Sequence, residues 1–268
     1  ETLGIPELAA RYPAHSGTTH AALKALDHNA IDYELVSKLV QWAVSCQVDE
    51  AAKWAADRLG RVAEHQPHQP KPDAAKAALA DAVLIFLPGL KEITALQEEL
   101  MRIPMFNREP AASWVLPLHS TVPPEDQRKV FEHAPAGVTK IILATNIAET
   151  AVTVDDVAFV IDTGRMKENR YDPQRRMSSL DDVPVSRANA KQRRGRAGRV
   201  RSGVAVHLFT SHRHAHIMLS AQSPEVQRVP LEQLALRIKA LEYPGSIADV
   251  CARLVEPPAP AAVERAVS

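Results

Sequence analysis

Five short and almost continuous apolar runs set the terms for this chain: AVLIFL at 82–87, WVLPLH at 114–119, TKIILAT at 139–145, VAFVID at 157–162 and GVAVHLF at 203–209. They lack the polar and apolar alternation of a half-exposed sheet, so both of their faces must be covered. Strands of that kind, separated by stretches of helical periodicity, belong to parallel sheets with helices on either side. The fold class this predicts is α/β, with a mostly parallel sheet starting near residue 81. Leu90, Ile93, Leu96 and Leu100 form the apolar stripe of a helix after the first run, and Pro123-Pro124 supply a suitable start for another over EDQRKVFEH. RMKENRYDPQRRMSSLDDV carries a Tyr-Asp-Pro turn between two strand-like segments, which predicts a protruding β-hairpin from Arg165 to Asp182.

The flanks read differently. Residues 1–30 are a leading segment, and IDYELVSKLVQWAV repeats its apolar residues at helical spacing, so the folded unit is expected to open at residue 31 and run to 222. Within it, residues 46–80 read as an insertion or linker: an alanine-rich helix candidate followed by the proline-broken HQPHQPKPD. From 223 onward LEQLALRIKALEYP and the proline-rich EPPAPAAVE announce a second, smaller helical unit.

Lys plus Arg and Asp plus Glu number 32 each, so affinity for a polyanion has to come from local clustering. Such a cluster exists: between Arg187 and Gly203 there are seven basic residues and no acid. Cys46 and Cys251 have no ligand partners in sequence, which indicates neither a disulfide framework nor a metal site. No apolar run reaches the ~20 residues of a membrane span, and the first residues lack the features of a signal peptide. An intracellular protein, cytoplasmic or nuclear, is expected, and the absence of an initial Met suggests a portion of something longer.

Three segments carry chemistry. If SRANAKQRRGRAGRV is a helix capped by Ser186, then Gln192, Arg196 and Arg199 stand at i, i+4 and i+7 on one stripe, a surface suited to phosphate oxygens. Gly195 and Gly198 would weaken that helix and are expected to let another backbone or a ligand come close; the alternative is a solvated basic face. Second, KIILATNIAETAVTVDD delivers Thr145 and Asn146 to a turn, with Asn146 and Glu149 at capping-box spacing, so the helix start either binds an anion or is simply capped. Third, the first run ends at Pro88-Gly89, at the sheet edge where α/β proteins bind ligands, or else in an ordinary connection. His212, His214 and His216 read as an exposed loop, with no acidic or thiol partner nearby to complete a metal site.

Taken together, FLPG, LHS, TNIAET and QRRGRAGR, in that order and spacing, resemble the second RecA-like lobe of DEAH-box (DExH, superfamily 2) ATP-dependent RNA helicases over roughly Ile31 to Leu208, and SPEVQRVPLEQLALRIKAL resembles the lead into their winged-helix domain. The resemblance implies a RecA-like sheet, ATP and Mg2+ held mainly by a first lobe, single-stranded RNA gripped through its backbone, and coupling of ATP hydrolysis to movement along that strand. Gln192, Arg196 and Arg199 match the positions that reach the ATP phosphates, the two arginines as arginine fingers. Phe131 matches the aromatic that stacks on adenine, its alternative being a core Phe on an amphipathic helix. Thr153 and Asp155 match positions that sense the nucleotide and its magnesium-bound water. Thr145 and Ser120 match RNA-backbone contacts, and Asn146 and Gly89 are further candidates for RNA binding. Ala151 replaces the family's usual serine. The sequence contains no GxxxxGK[ST] loop and no DEAH box, both of which belong to the first lobe, so the isolated chain is expected to be inactive. The rival readings are a non-catalytic RNA-binding module and a protein-docking regulatory lobe.

Overall fold

The computed structural model describes residues 4–27, 29–45, 82–150, 153–175, 177–197, 199 and 203–268. All five apolar runs form strands: β1 (Ala82–Phe86), β2 (Val115–Leu118), β3 (Ile141–Ala144), β4 (Val157–Asp162) and β7 (Val204–His207). They make one fully parallel sheet in the order β2-β3-β1-β4-β7, with β1 central. The two-residue period of a strand sends successive side chains to opposite faces. Val83, Ile85, Ile141, Leu143, Phe159 and Ile161 pack one way, against the helices Tyr33–Ser45 (α3) and Leu90–Met101 (α4); Leu84, Phe86, Leu116, Leu118, Ile142 and Val160 pack the other. The expected stripe of α4 is buried at Ile93, Leu96 and Leu100, while Leu90, in the first turn, is exposed. Trp42 of α3 meets Phe159 edge-on with centroids 6.0 Å apart.

The hairpin is present as β5 (Arg165–Asp172) and β6 (Met177–Pro184), paired antiparallel in a sheet of its own. Its root packs through Met166, Val183 and Val185 against Ala190 and Met218. Before α3 lie two short helices, α1 (Ile5–Arg11) and α2 (Gly17–Ala25). At the other end three helices, Glu232–Ala240, Ile247–Ala252 and Pro260–Val267, enclose their own core of Leu231, Ile238, Cys251 and Val263. Among the described residues no helix is long and apolar enough to cross a membrane. The 46–80 segment, Cys46 and Ala151 lie outside the described residues.

Three local expectations need correction. SRANAKQRRGRAGRV is not one helix: the helix α7 runs from Arg187 to Arg194, capped by Ser186 as foreseen, and closes at Gly195. With four further basic side chains after Lys191 and two glycines ahead, the chain has little reason to continue it. Gly195 therefore serves as a helix terminus, and a Cβ there would meet only carbonyls of its own helix. Gly198 lies outside the described residues; among the described glycines a close backbone approach falls at Gly203, where a Cβ would run into the carbonyl oxygens of Ala197 and Ala158. Finally, the SHRHAH segment is a short helix, Ser211–His216, capped by the Thr210 hydroxyl, because Thr at the N-cap satisfies a free backbone N–H.

Candidate functional site

A parallel sheet has two unlike rims, and its connections divide the candidate residues between them. At the carboxyl rim, β1 leads into Leu87-Pro88-Gly89, β2 into His119-Ser120 and β3 into Thr145-Asn146. Thr145 is buried; its N–H reaches back to the Leu118 carbonyl, and its own carbonyl accepts from Ala148 to open the one-turn helix Ile147–Thr150 (α6). Asn146 and Ser120 are exposed. Gly89 is buried at the start of α4, beneath the pair Lys167 Nζ–Glu92 Oε2 at 3.0 Å, which ties the hairpin to this rim. Thr145, Ser120, Asn146 and Gly89 thus share one edge, the edge at which open α/β sheets take ligands.

At the amino rim the segments entering β3 and β4 come together. The helix expected over EDQRKVFEH is only Pro124–Arg128 (α5) and passes into a 3-10 turn, Lys129–Phe131; Phe131 ends that turn and is 51% exposed, so it is not the core residue of its alternative reading. Lys140, almost wholly buried, places its ammonium on the carbonyls of Val130 (2.8 Å) and Glu132 (2.7 Å) and on Asp156 Oδ2 (2.9 Å), using all three of its donors. His133 Nδ1 lies 3.3 Å from the same Asp156 oxygen. Asp155 completes a group with His133 and Asp156 whose ligand atoms fall within 4.8 Å of one another, but the Lys140 ammonium already provides the cation beside Asp156. Across from them, Arg199 donates to the Thr153 hydroxyl.

Between the rims runs α7, about 12 Å long at 1.5 Å per residue. Gln192 is exposed on its last turn, and Arg196 follows two residues beyond its end, 7% exposed. Burial, and then the like charge of Arg199, lower the Arg196 pKa from its ordinary value, while Glu149 opposes the shift. The two guanidiniums thus act on each other electrostatically, and both are of a kind that forks onto phosphate oxygens. Arg196 and Arg199 come together although no helix carries both, and Arg199 meets Thr153. Among the described residues, Gln192 by contrast forms no hydrogen bond with either.

Sequence reasoning missed the arginine with the most partners. Arg193 is fully buried, its Nε 2.7 Å from Glu149 Oε1 and its Nη1 2.7 Å from Asp162 Oδ1 and 3.1 Å from the Arg165 carbonyl, with its guanidinium 4.8 Å from the centre of the Phe86 ring. Burial alone would lower its pKa, but the charges of Asp162 and Glu149 hold it above the ordinary value. Burial would likewise raise Asp162, which Arg193 and a hydrogen bond from His207, at 3.0 Å, keep below the ordinary value. Glu149 also accepts from Asn189 at 2.8 Å, so its carboxylate serves α7 and does not close a capping box on Asn146. A signal was available: Ala190, Arg193 and Ala197 recur at helical spacing, and the two alanines mark that face as the inner one.

Residues 72–201 match the helicase conserved C-terminal domain. The chain is 44% identical over 261 residues to DHX57 of Homo sapiens, 38% over 250 residues to the chloroplastic DExH-box ATP-dependent RNA helicase DExH4 of Arabidopsis thaliana, and 38% over 259 residues to the ATP-dependent DNA/RNA helicase DHX36 of Rattus norvegicus. These alignments take in 96%, 93% and 97% of this chain but only 17%, 15% and 22% of the respective relatives, so the chain spans about a fifth of their length or less.

Proposed function

Because the chain belongs to the DExH-box ATP-dependent RNA helicases, as the part bearing their conserved C-terminal domain, we propose that it works as the second lobe of an ATP-driven RNA motor, presenting its amino rim to nucleotide and its carboxyl rim to the RNA backbone. The observation that carries this reading is the arginine segment past α7, where Arg196 lies within electrostatic reach of Arg199 and Arg199 donates to the Thr153 hydroxyl. Guanidiniums so placed can neutralise charge that builds on a phosphoryl group in the transition state, where a finger of this type contributes ~10³ to 10⁵ in rate.

In this reading ATP enters as substrate from a facing lobe, with Phe131 offering its exposed ring to the base and Gln192 a side-chain amide to the phosphates. Magnesium would supply charge neutralisation there, with Asp155 the carboxylate of this chain turned to its water. Thr145, Ser120, Asn146 and the Gly89 turn grip phosphate and ribose at the other rim. Contacts to the backbone read no bases, so RNA binding is weakly sequence-selective and strongly salt-dependent.

The test uses a protein carrying both lobes. Arg196→Ala is expected to abolish RNA-stimulated ATP hydrolysis and leave RNA affinity within about threefold. A non-catalytic RNA-binding module would instead lose RNA affinity with this substitution and show no ATP hydrolysis in the parent, and that result would refute the proposal. The 268-residue chain by itself is expected not to turn ATP over.

A further inference from the structure

Arg193 carries neither candidate ligand contact, yet it joins the arginine segment to four segments that meet at or just past the carboxyl ends of the strands. Glu149 belongs to the one-turn helix opened by Thr145; Asp162 ends β4; the Arg165 carbonyl begins the hairpin; Phe86 ends β1, three residues before Gly89. Arg193 itself stands one residue after Gln192 and three before Arg196. We propose that Arg193 is a positioning residue, a buried clamp that fixes the arginine segment to the Thr145 turn and the hairpin root so that a shift imposed by RNA at one rim is delivered to Arg196 at the other. The inference rests on the helicase reading above and adds to it a residue that touches neither ligand.

The arrangement is poorly explained as a device for stability alone. A buried ion pair spends much of its Coulomb attraction on desolvation, and apolar residues of similar volume often stabilise a core as well or better. What a guanidinium supplies that apolar groups do not is direction: a planar fork with fixed donor angles, here committed to two carboxylates and one carbonyl. Glu149 is shared, since it bonds Arg193 and Asn189 and also acts electrostatically on Arg196, so displacement of α6 is felt along the whole of α7. His207 holds the far oxygen of Asp162 and leaves the near one to Arg193. These are packed elements joined by short charged bonds, the kind of contiguous network through which coupling passes.

The experiment compares parent, Arg193→Lys, Glu149→Gln and the double variant in a protein with both lobes. Lys keeps the charge but not the fork. If the clamp positions Arg196, Arg193→Lys lowers RNA-stimulated kcat about 100-fold, the cost typical of a misplaced catalytic group, while KM for ATP and Kd for RNA stay within about threefold. Glu149→Gln lowers kcat in the same manner, and the double variant loses no more than the worse single one, because the two residues act as one unit. Undiminished kcat in Arg193→Lys would overturn the proposal. So would parallel losses in RNA affinity, ATP affinity and thermal stability, or failure of both single variants to fold, since either marks a structural role only. If the parent shows no RNA-stimulated hydrolysis, it is the helicase reading that has failed; if the parent is active and the variants match it, only the clamp has.

Discussion

The two rims of the sheet hold their polar groups by different means. At the carboxyl rim the main chain positions the candidate residues themselves, Thr145 by its N–H to Leu118 and its carbonyl to Ala148 and Gly89 by the opening turn of α4, while the Lys167–Glu92 pair ties the hairpin on from outside. At the amino rim charged side chains do it: Lys140 joins two carbonyls to Asp156, and Arg199 reaches Thr153. A rim set by backbone bonds keeps its geometry when one side chain is changed. One set by charges does not, and the two should therefore respond differently to substitution, salt and acid.

The largest effect is expected where chemistry would occur. Arg196→Ala in the two-lobe protein should reduce RNA-stimulated hydrolysis by about 10³-fold or more, measured in a steady-state ATPase assay with and without RNA. Next is Lys140→Met, which leaves the Asp156 carboxylate buried without its ammonium and should cost about 3 kcal/mol of stability in a denaturant melt. The carboxyl rim is probed by Thr145→Val, which keeps shape and burial but removes the hydroxyl. RNA affinity should weaken by about tenfold, read by fluorescence anisotropy, with KM for ATP unchanged. Equal sensitivity of ATP and RNA parameters to both Arg196→Ala and Thr145→Val would erase the distinction between the rims.

The smallest effect, and one confined to acid, concerns the buried link between them. The Asp162 carboxyl is held below its ordinary value in the folded chain. Its contribution is thus complete above the ordinary carboxylate range near pH ~4 and is lost as pH falls through the lower folded value. Unfolding free energy should drop steeply on acidification below that range, and Asp162→Asn should flatten the drop. An unchanged acid limb in urea melts would show that Asp162 is not held in this way.

The sheet was legible because continuous burial leaves a continuous record: all five apolar runs became neighbouring parallel strands, and the Tyr-Asp-Pro turn became the hairpin tip. Ser186 was readable as a cap for the same reason, since a helix start needs a side-chain acceptor at one defined position. The arginine segment was harder. A charge run reads as a surface, and only the helical spacing of Ala190 and Ala197 betrays that Arg193 points inward to partners 31 and 44 residues away in sequence. Long-range ion pairs leave no periodicity. Nor could spacing foretell that the helix would stop at Gly195 and that Arg199 would reach Thr153 from an irregular segment. Lys140 was hidden differently, as a polar residue at the head of an apolar strand, where a solvated start and a buried staple look alike.

That staple has a mechanical outcome. With one ammonium gripping the carbonyls of the residues on either side of Phe131 together with the aspartate that precedes β4, the exposed ring and the acidic pair share a single anchor. In the proposed role, a nucleotide base laid on that ring would meet spacing already set, and loosening the anchor would loosen that seat.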